Sequence, residues 1–135
     1  MTSYPLDTNH AAVALAGGDP FSTRFWQYAQ SDDQFYPSIT VLAELYFAAY
    51  ASQRRTQNLA RISWILERLS LLDFDLAAAE EYGRIKAEQK AKGRPIPGTD
   101  AQIAAVARLH GLTVLTADKH FTYIEGLAVE NWVTS

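Results

Sequence analysis

The stretch "GRPIPGTDAQIAAVARLHGLTVLTADKHF", residues 93–121, decides the fold. Its prolines and glycines mark "GRPIPG" as a loop, "TDAQIAAVARLHG" reads as a helix ended by Gly111, and "LTVLTAD" reads as a β-branched strand. A single glycine joins helix to strand, so the helix runs back beside the strand it feeds. The start of the helix and the end of the strand then share one edge. Asp100 opens the helix and Asp118 closes the strand, which places two carboxylates on that edge.

The same alternation extends in both directions. Upstream, "DLAAAEEYGRIKAEQKAK" is a long helical stretch of mixed charge, and Leu59, Ile62, Leu66 and Leu69 recur at helical spacing. "TVLAELYFAAYASQ" predicts a helix from Thr40, with strands at "FYPSI" before it and at Leu71 to Phe74 after the next helix. Near the start, "SYPL" predicts a short strand, although Pro5 lacks a backbone donor. "AAVALAGG" predicts a short helix closed by Gly17 and Gly18, and "DPFSTRFWQYAQ" another, with Asp19 as cap and Pro20 in the first turn. Downstream, "GLAVENW" predicts a last strand behind a short helical turn. Strands alternating with helices imply an α/β fold with a parallel sheet covered on both faces.

Composition bounds the function classes. At 135 residues and 48% hydrophobic, the chain is expected to form one domain over residues 1–135. No apolar run approaches a membrane span, and "MTSYPLD" lacks the features of a secretory signal, so a cytoplasmic location is expected. The absence of cysteine excludes disulfides and thiolate metal sites, which leaves oxygen or histidine to hold any metal. The net charge of −3 announces no strongly basic surface, although nine of the 12 basic residues fall between Arg54 and Arg94.

Ligands of a parallel α/β sheet bind beyond the carboxyl ends of its strands. Asp7 ends the predicted first strand, and Glu44 lies about one turn into the helix leaving the second. With Asp100 and Asp118, four carboxylates share one rim. Close carboxylates repel unless a cation sits among them, and Mg²⁺ or Mn²⁺ suits oxygen ligands and phosphodiester hydrolysis. Taken singly, Asp7 and Asp100 also read as helix caps or first-turn acids and Asp118 as a turn residue. Glu44 is flanked by apolar neighbours, where a carboxylate needs a partner.

"LDTN", "TVLAELYFAAY", residues 93–121 and "GLAVENW" together resemble the PIN-domain ribonucleases, and within them the VapC-like toxins of prokaryotic toxin-antitoxin pairs. The resemblance runs from Asp7 to Trp132. It implies a three-layer α/β/α sandwich around a parallel sheet of about five strands, and a Mg²⁺- or Mn²⁺-dependent endoribonuclease with one or two ions per site. The family's catalytic and metal-binding acids fall on Asp7, Glu44, Asp100 and Asp118, and its supporting polar residues on Asn9 and Thr116. A cognate antitoxin, a structured RNA substrate and a homodimer are the partners it implies, with no membrane. Pro5 departs from the apolar residue usual in the first strand.

Other signals are weaker. His10 and His120 flank two of the acids, but the resemblance gives neither a role, and a turn or surface histidine is the default reading. Lys119, His120, Arg84 and Arg94 are candidate RNA contacts. Tyr46 and Tyr50 on the helix carrying Glu44 are candidates for packing an antitoxin or a second subunit. Competing readings are an aspartyl-phosphate phosphotransferase, an RNA-processing PIN nuclease outside a toxin-antitoxin pair, and a PIN fold kept as a binding module. A haloacid-dehalogenase-type site wants a second aspartate where this chain has Asn9.

Overall fold

Three short strands lie side by side in the order β1 (Ala11–Val13), β2 (Thr113–Leu115) and β3 (Ala128–Glu130), all parallel. This is a computed structural model, and it describes residues 11–13, 37–68, 71–116 and 118–130. The helices are α1 (Ile39–Ala51), α2 (Arg55–Arg68), α3 (Leu76–Ala91) and α4 (Gly98–His110), with a 3-10 helix at Lys119–Tyr123. Thr113 pairs with Ala11 on one side and Ala128 on the other, so β2 is the central described strand. All three of its residues are buried, as a strand covered on both faces requires.

Each helix starts or stops where its side chains dictate. The Ser38 hydroxyl accepts a hydrogen bond from the Val41 amide at 3.1 Å and caps α1, and the Asp75 carboxylate accepts from the Ala78 amide at 2.9 Å and caps α3. Val41, Leu42, Leu45 and Ala49 bury one face of α1, and Ala78, Glu81, Ile85 and Gln89 one face of α3. In α4, Ala101 and Ile103 to Ala107 are all buried, a run too continuous for a surface helix. Its alanines favour the helix and let neighbours approach closely. Gly111 ends α4 with φ +67°, a left-handed turn that a side chain rarely adopts. Leu112 follows at once, its amide bonded to the Ala107 carbonyl at 2.8 Å, and β2 begins at the next residue.

Arg108 ties three parts of the chain together. Its guanidinium bonds Glu81 and Glu88 of α3 and the carbonyl of Glu125, the last at 3.0 Å. Arg84 joins the same group at 2.7 Å from Glu81. Burial pushes the Glu81 carboxyl up, but the hydrogen bonds and charges of Arg108 and Arg84 outweigh it and hold the group below its ordinary value.

Three sequence expectations change. "AAVALAGG" does not open as a helix, because Ala11–Val13 pair as a strand with β2. A short apolar run does not distinguish helix from strand by period, and the unpaired edge of β2 offers hydrogen bonds that decide it. "FYPSI" gives no strand beyond Pro37 among the described residues, since α1 begins at Ile39 with Ser38 as its cap. That segment meets the predicted strand at Leu71 to Phe74 in a single parallel bridge between Ser38 and Leu72. The "SYPL" strand and the "DPFSTRFWQYAQ" helix lie outside the described residues.

Removing Arg108 leaves the little-exposed Glu81 short of its main partner. Arg108→Ala is expected to lower unfolding stability by about 3 kcal/mol in urea titrations. A carboxyl held low in the folded state stabilises fully above its unfolded value of about 4.3 and loses that contribution as pH falls through the lower folded value. Glu81→Gln should therefore flatten the acid limb of a stability-against-pH curve.

Candidate active site

The end of β2 builds one side of the site. The chain leaves the sheet at Thr116, which is buried, and the Thr116 hydroxyl accepts a hydrogen bond from the Asp118 amide at 3.0 Å. Asp118 in turn accepts from the His120 amide at 2.9 Å and so caps the 3-10 helix. Fully buried Phe121 fastens that helix to the core. Asp118 is thus fixed from both sides, as a residue that caps a turn.

The start of α4 builds the other side. Pro97 occupies the cap position, which leaves Asp100 in the first turn, where the helix dipole favours negative charge. Asp100 is only 8% exposed. Burial pushes its carboxyl above the ordinary value, the charge of Asp118 adds to this, His120 opposes it, and Glu44 adds a smaller push. The two acids that the sequence placed on one edge are therefore electrostatic neighbours.

His120 completes the group. Its Nδ1 lies 3.0 Å from Asp118 Oδ1 and 3.6 Å from Asp100 Oδ2. That nitrogen is shielded from water, and neither carboxylate meets it with hydrogen-bond geometry. Asp100, Asp118 and His120 each offer one ligand atom, all within 4.8 Å of one another. His120 is the partly exposed turn histidine that the sequence suggested, with its Nδ1 turned toward both acids; the only sequence signal for that approach was its place two residues after Asp118.

Glu44 sits differently from its expectation. It is exposed on α1, because Val41, Leu42 and Leu45 face the core while the helix turns Glu44 outward. No buried partner is required. Its charge still reaches Asp100, and the Thr40 hydroxyl donates to Gln102 Oε1 at 3.0 Å, joining the first turns of α1 and α4. Sequence reading missed this link, since neither residue carries chemistry of its own.

The candidate RNA contacts separate into two kinds. Arg84 is engaged by Glu80 at 3.1 Å and Glu81 at 2.7 Å on its own helix. Lys119 is exposed beside Asp118, and the Arg94 guanidinium lies 5.0 Å from the centre of the Tyr123 ring. Asp7, Asn9 and His10 lie outside the described residues.

A family profile for the PIN domain matches residues 4–127. The chain is 35% identical over 133 residues to the tRNA(fMet)-specific endonuclease VapC of Shigella flexneri, covering 98% of this chain and 99% of that protein. It is 38% identical over 136 residues to Ribonuclease VapC2 of Haemophilus influenzae, covering 98% and 100%. Among solved structures, VapBC2 from Rickettsia felis bound to a DNA fragment from their promoter matches with a TM-score of 0.77 at 25% identity, over 90% of this chain and 98% of that one. VapBC-5 from Mycobacterium tuberculosis matches with a TM-score of 0.72 at 26% identity, over 91% and 97%.

An acid whose folded value is raised binds its proton more tightly when folded, so stability falls as pH rises toward that value and the ionised group is a cost above it. Asp100→Asn should raise the unfolding temperature in EDTA at neutral pH by removing that cost. A lower unfolding temperature would show that the Asp100 charge is compensated within the protein.

Proposed function

The chain belongs to the PIN-domain family and, within it, to the VapC ribonucleases, and from that premise we propose that it is a metal-dependent endoribonuclease, the toxin of a toxin-antitoxin pair. The observation that carries the reading is the convergence of Asp100, Asp118 and His120 at the end of β2. Two relatives are named for cleavage of tRNA(fMet), which makes that structured RNA the first substrate to test.

The donor set fits a hard divalent cation. Two carboxylates within ligand reach, one raised by burial and by its neighbour, are relieved by a positive charge between them. Asp7, Glu44, Asp100 and Asp118 are the proposed catalytic and metal-holding residues for one or two Mg²⁺ or Mn²⁺ ions, with Asn9 and Thr116 in support. When bound, such a cation supplies positive charge that acidifies water and offsets charge developing on the phosphodiester. Asp100 contributes a carboxylate from a rigid helix start. Thr116 and the 3-10 helix hold Asp118 opposite it, and Glu44 adds negative charge from the solvent side. No nucleophilic side chain is required.

The wider proposal is a single PIN domain over residues 1–135, a three-layer α/β/α sandwich whose parallel sheet has about five strands, acting in the cytoplasm as a homodimer. The solved relatives are VapBC assemblies, and a cognate antitoxin is the proposed partner here. Phe47, 72% exposed, and Tyr50, 56% exposed, offer it an apolar face on α1, whereas Tyr46 packs partly against the core.

Purified, antitoxin-free protein should cut cellular RNA in Mg²⁺ or Mn²⁺ and not in EDTA, with fragment ends mapped by sequencing. Asp7→Asn, Asp100→Asn and Asp118→Asn should each slow cleavage by about a hundredfold or more while remaining folded. Undiminished cleavage in EDTA would overturn the metal-dependent reading.

A further inference from the structure

We propose that Arg94 and Tyr123 form a phosphate-binding subsite for RNA beside the acidic cluster, with Arg94 gripping the backbone next to the bond that is cut and Tyr123 positioning its guanidinium. The inference rests on the endoribonuclease reading above. A rim of carboxylates repels a polyanion, so a nuclease built on it needs cations placed at its border.

Several basic residues near that border are occupied elsewhere. Arg84 and Arg108 are held by glutamates of α3, Lys92 by Glu125 at 3.3 Å, and Lys86 by the Ile96 carbonyl at 2.9 Å. Among the described residues, Arg94 meets an aromatic ring and no carboxylate. A guanidinium that meets a ring by its face keeps its in-plane N–H donors for a bidentate phosphate contact.

The backbone under Arg94 is firmly held. Gln89, fully buried in α3, accepts the Arg94 amide on its carbonyl at 2.9 Å and donates its side-chain amide to the Arg94 carbonyl at 3.2 Å. Gly93, with φ +70°, makes the turn that brings the chain there. Two residues later Ile96 is buried, and the loop runs on into the first turn of α4 and Asp100. An exposed side chain thus stands on a fastened peptide.

Its position relative to the acids is also set. The Tyr123 ring meets His120 edge-on with centroids 6.0 Å apart, and His120 Nδ1 is 3.0 Å from Asp118. Arg94, Tyr123, His120 and Asp118 are linked by successive contacts from cation to carboxylate. Two rings stand between Arg94 and Asp118 in that series, which puts the proposed phosphate contact beside the acids and not among them.

The test uses fluorescein-labelled tRNA(fMet) transcript and the non-cleaving Asp100→Asn protein, with binding read by anisotropy over a salt series. Adding Arg94→Gln should weaken binding about tenfold and reduce the slope of log affinity against log salt by about 0.7–0.9, the share of one phosphate. Tyr123→Leu should reproduce most of the loss and Tyr123→Phe should not, because phenylalanine keeps the ring. In the cleaving protein, Arg94→Gln should raise KM with little change in kcat. Because Arg94 is exposed, its variant tests the idea even if Tyr123→Leu does not fold. Unchanged affinity and slope for Arg94→Gln, in a protein that cleaves RNA, would overturn the subsite and leave the nuclease reading standing. Failure of the unmodified protein to bind or cut any RNA in Mg²⁺ or Mn²⁺ would overturn both.

Discussion

Asp100 and Asp118 come from different elements and approach the same few ångströms, one of them shielded from water. Like charges in a poorly hydrated place are costly, so the surrounding structure must force them together. It does so through the shortest possible connection: α4 runs back along β2, turns at Gly111, and enters the strand two residues later. The buried alanine-rich face of α4 fixes the helix, and Thr116 and Phe121 fix the far end of the strand. Arg108, bonded to α3 and to the segment before β3, locks the base of the same unit.

Much of this was legible in residues 93–121, where helix, single-glycine joint and strand are all local signals. The placement of Asp100 and Asp118 follows from chain direction alone. What could not be read is what depends on contacts distant in sequence. The run at Ala11 was ambiguous by period, and pairing with β2 made Ala11–Val13 a strand. Ser38 became a cap because its hydroxyl reached the Val41 amide, which ended the predicted strand there. Glu44 looked buried from its neighbours, but the helix's rotation, set by Leu45 and Ala49 facing the core, turns it outward.

His120 and Tyr123 show the same limit on the site. A histidine two residues beyond an aspartate is unremarkable in sequence, and only the 3-10 turn folds its ring back toward both acids. The chain carries a net charge of −3, yet its cations are unevenly committed: some stabilise α3 and α4, while Arg94 stands over an aromatic ring at the border of the acids. Charge totals therefore say little about whether such a protein meets a polyanion, and the arrangement of pairs says more.

Asp100 and Asp118 are the proposed core of a divalent-cation site. Its most direct test is calorimetric titration of Mn²⁺ into the EDTA-stripped protein beside Asp118→Asn, with Mg²⁺ as competitor. Saturable binding that Mg²⁺ displaces and the substitution abolishes is the expected result. Absence of saturable binding to the folded, unmodified protein, or binding of equal strength to Asp118→Asn, would contradict it.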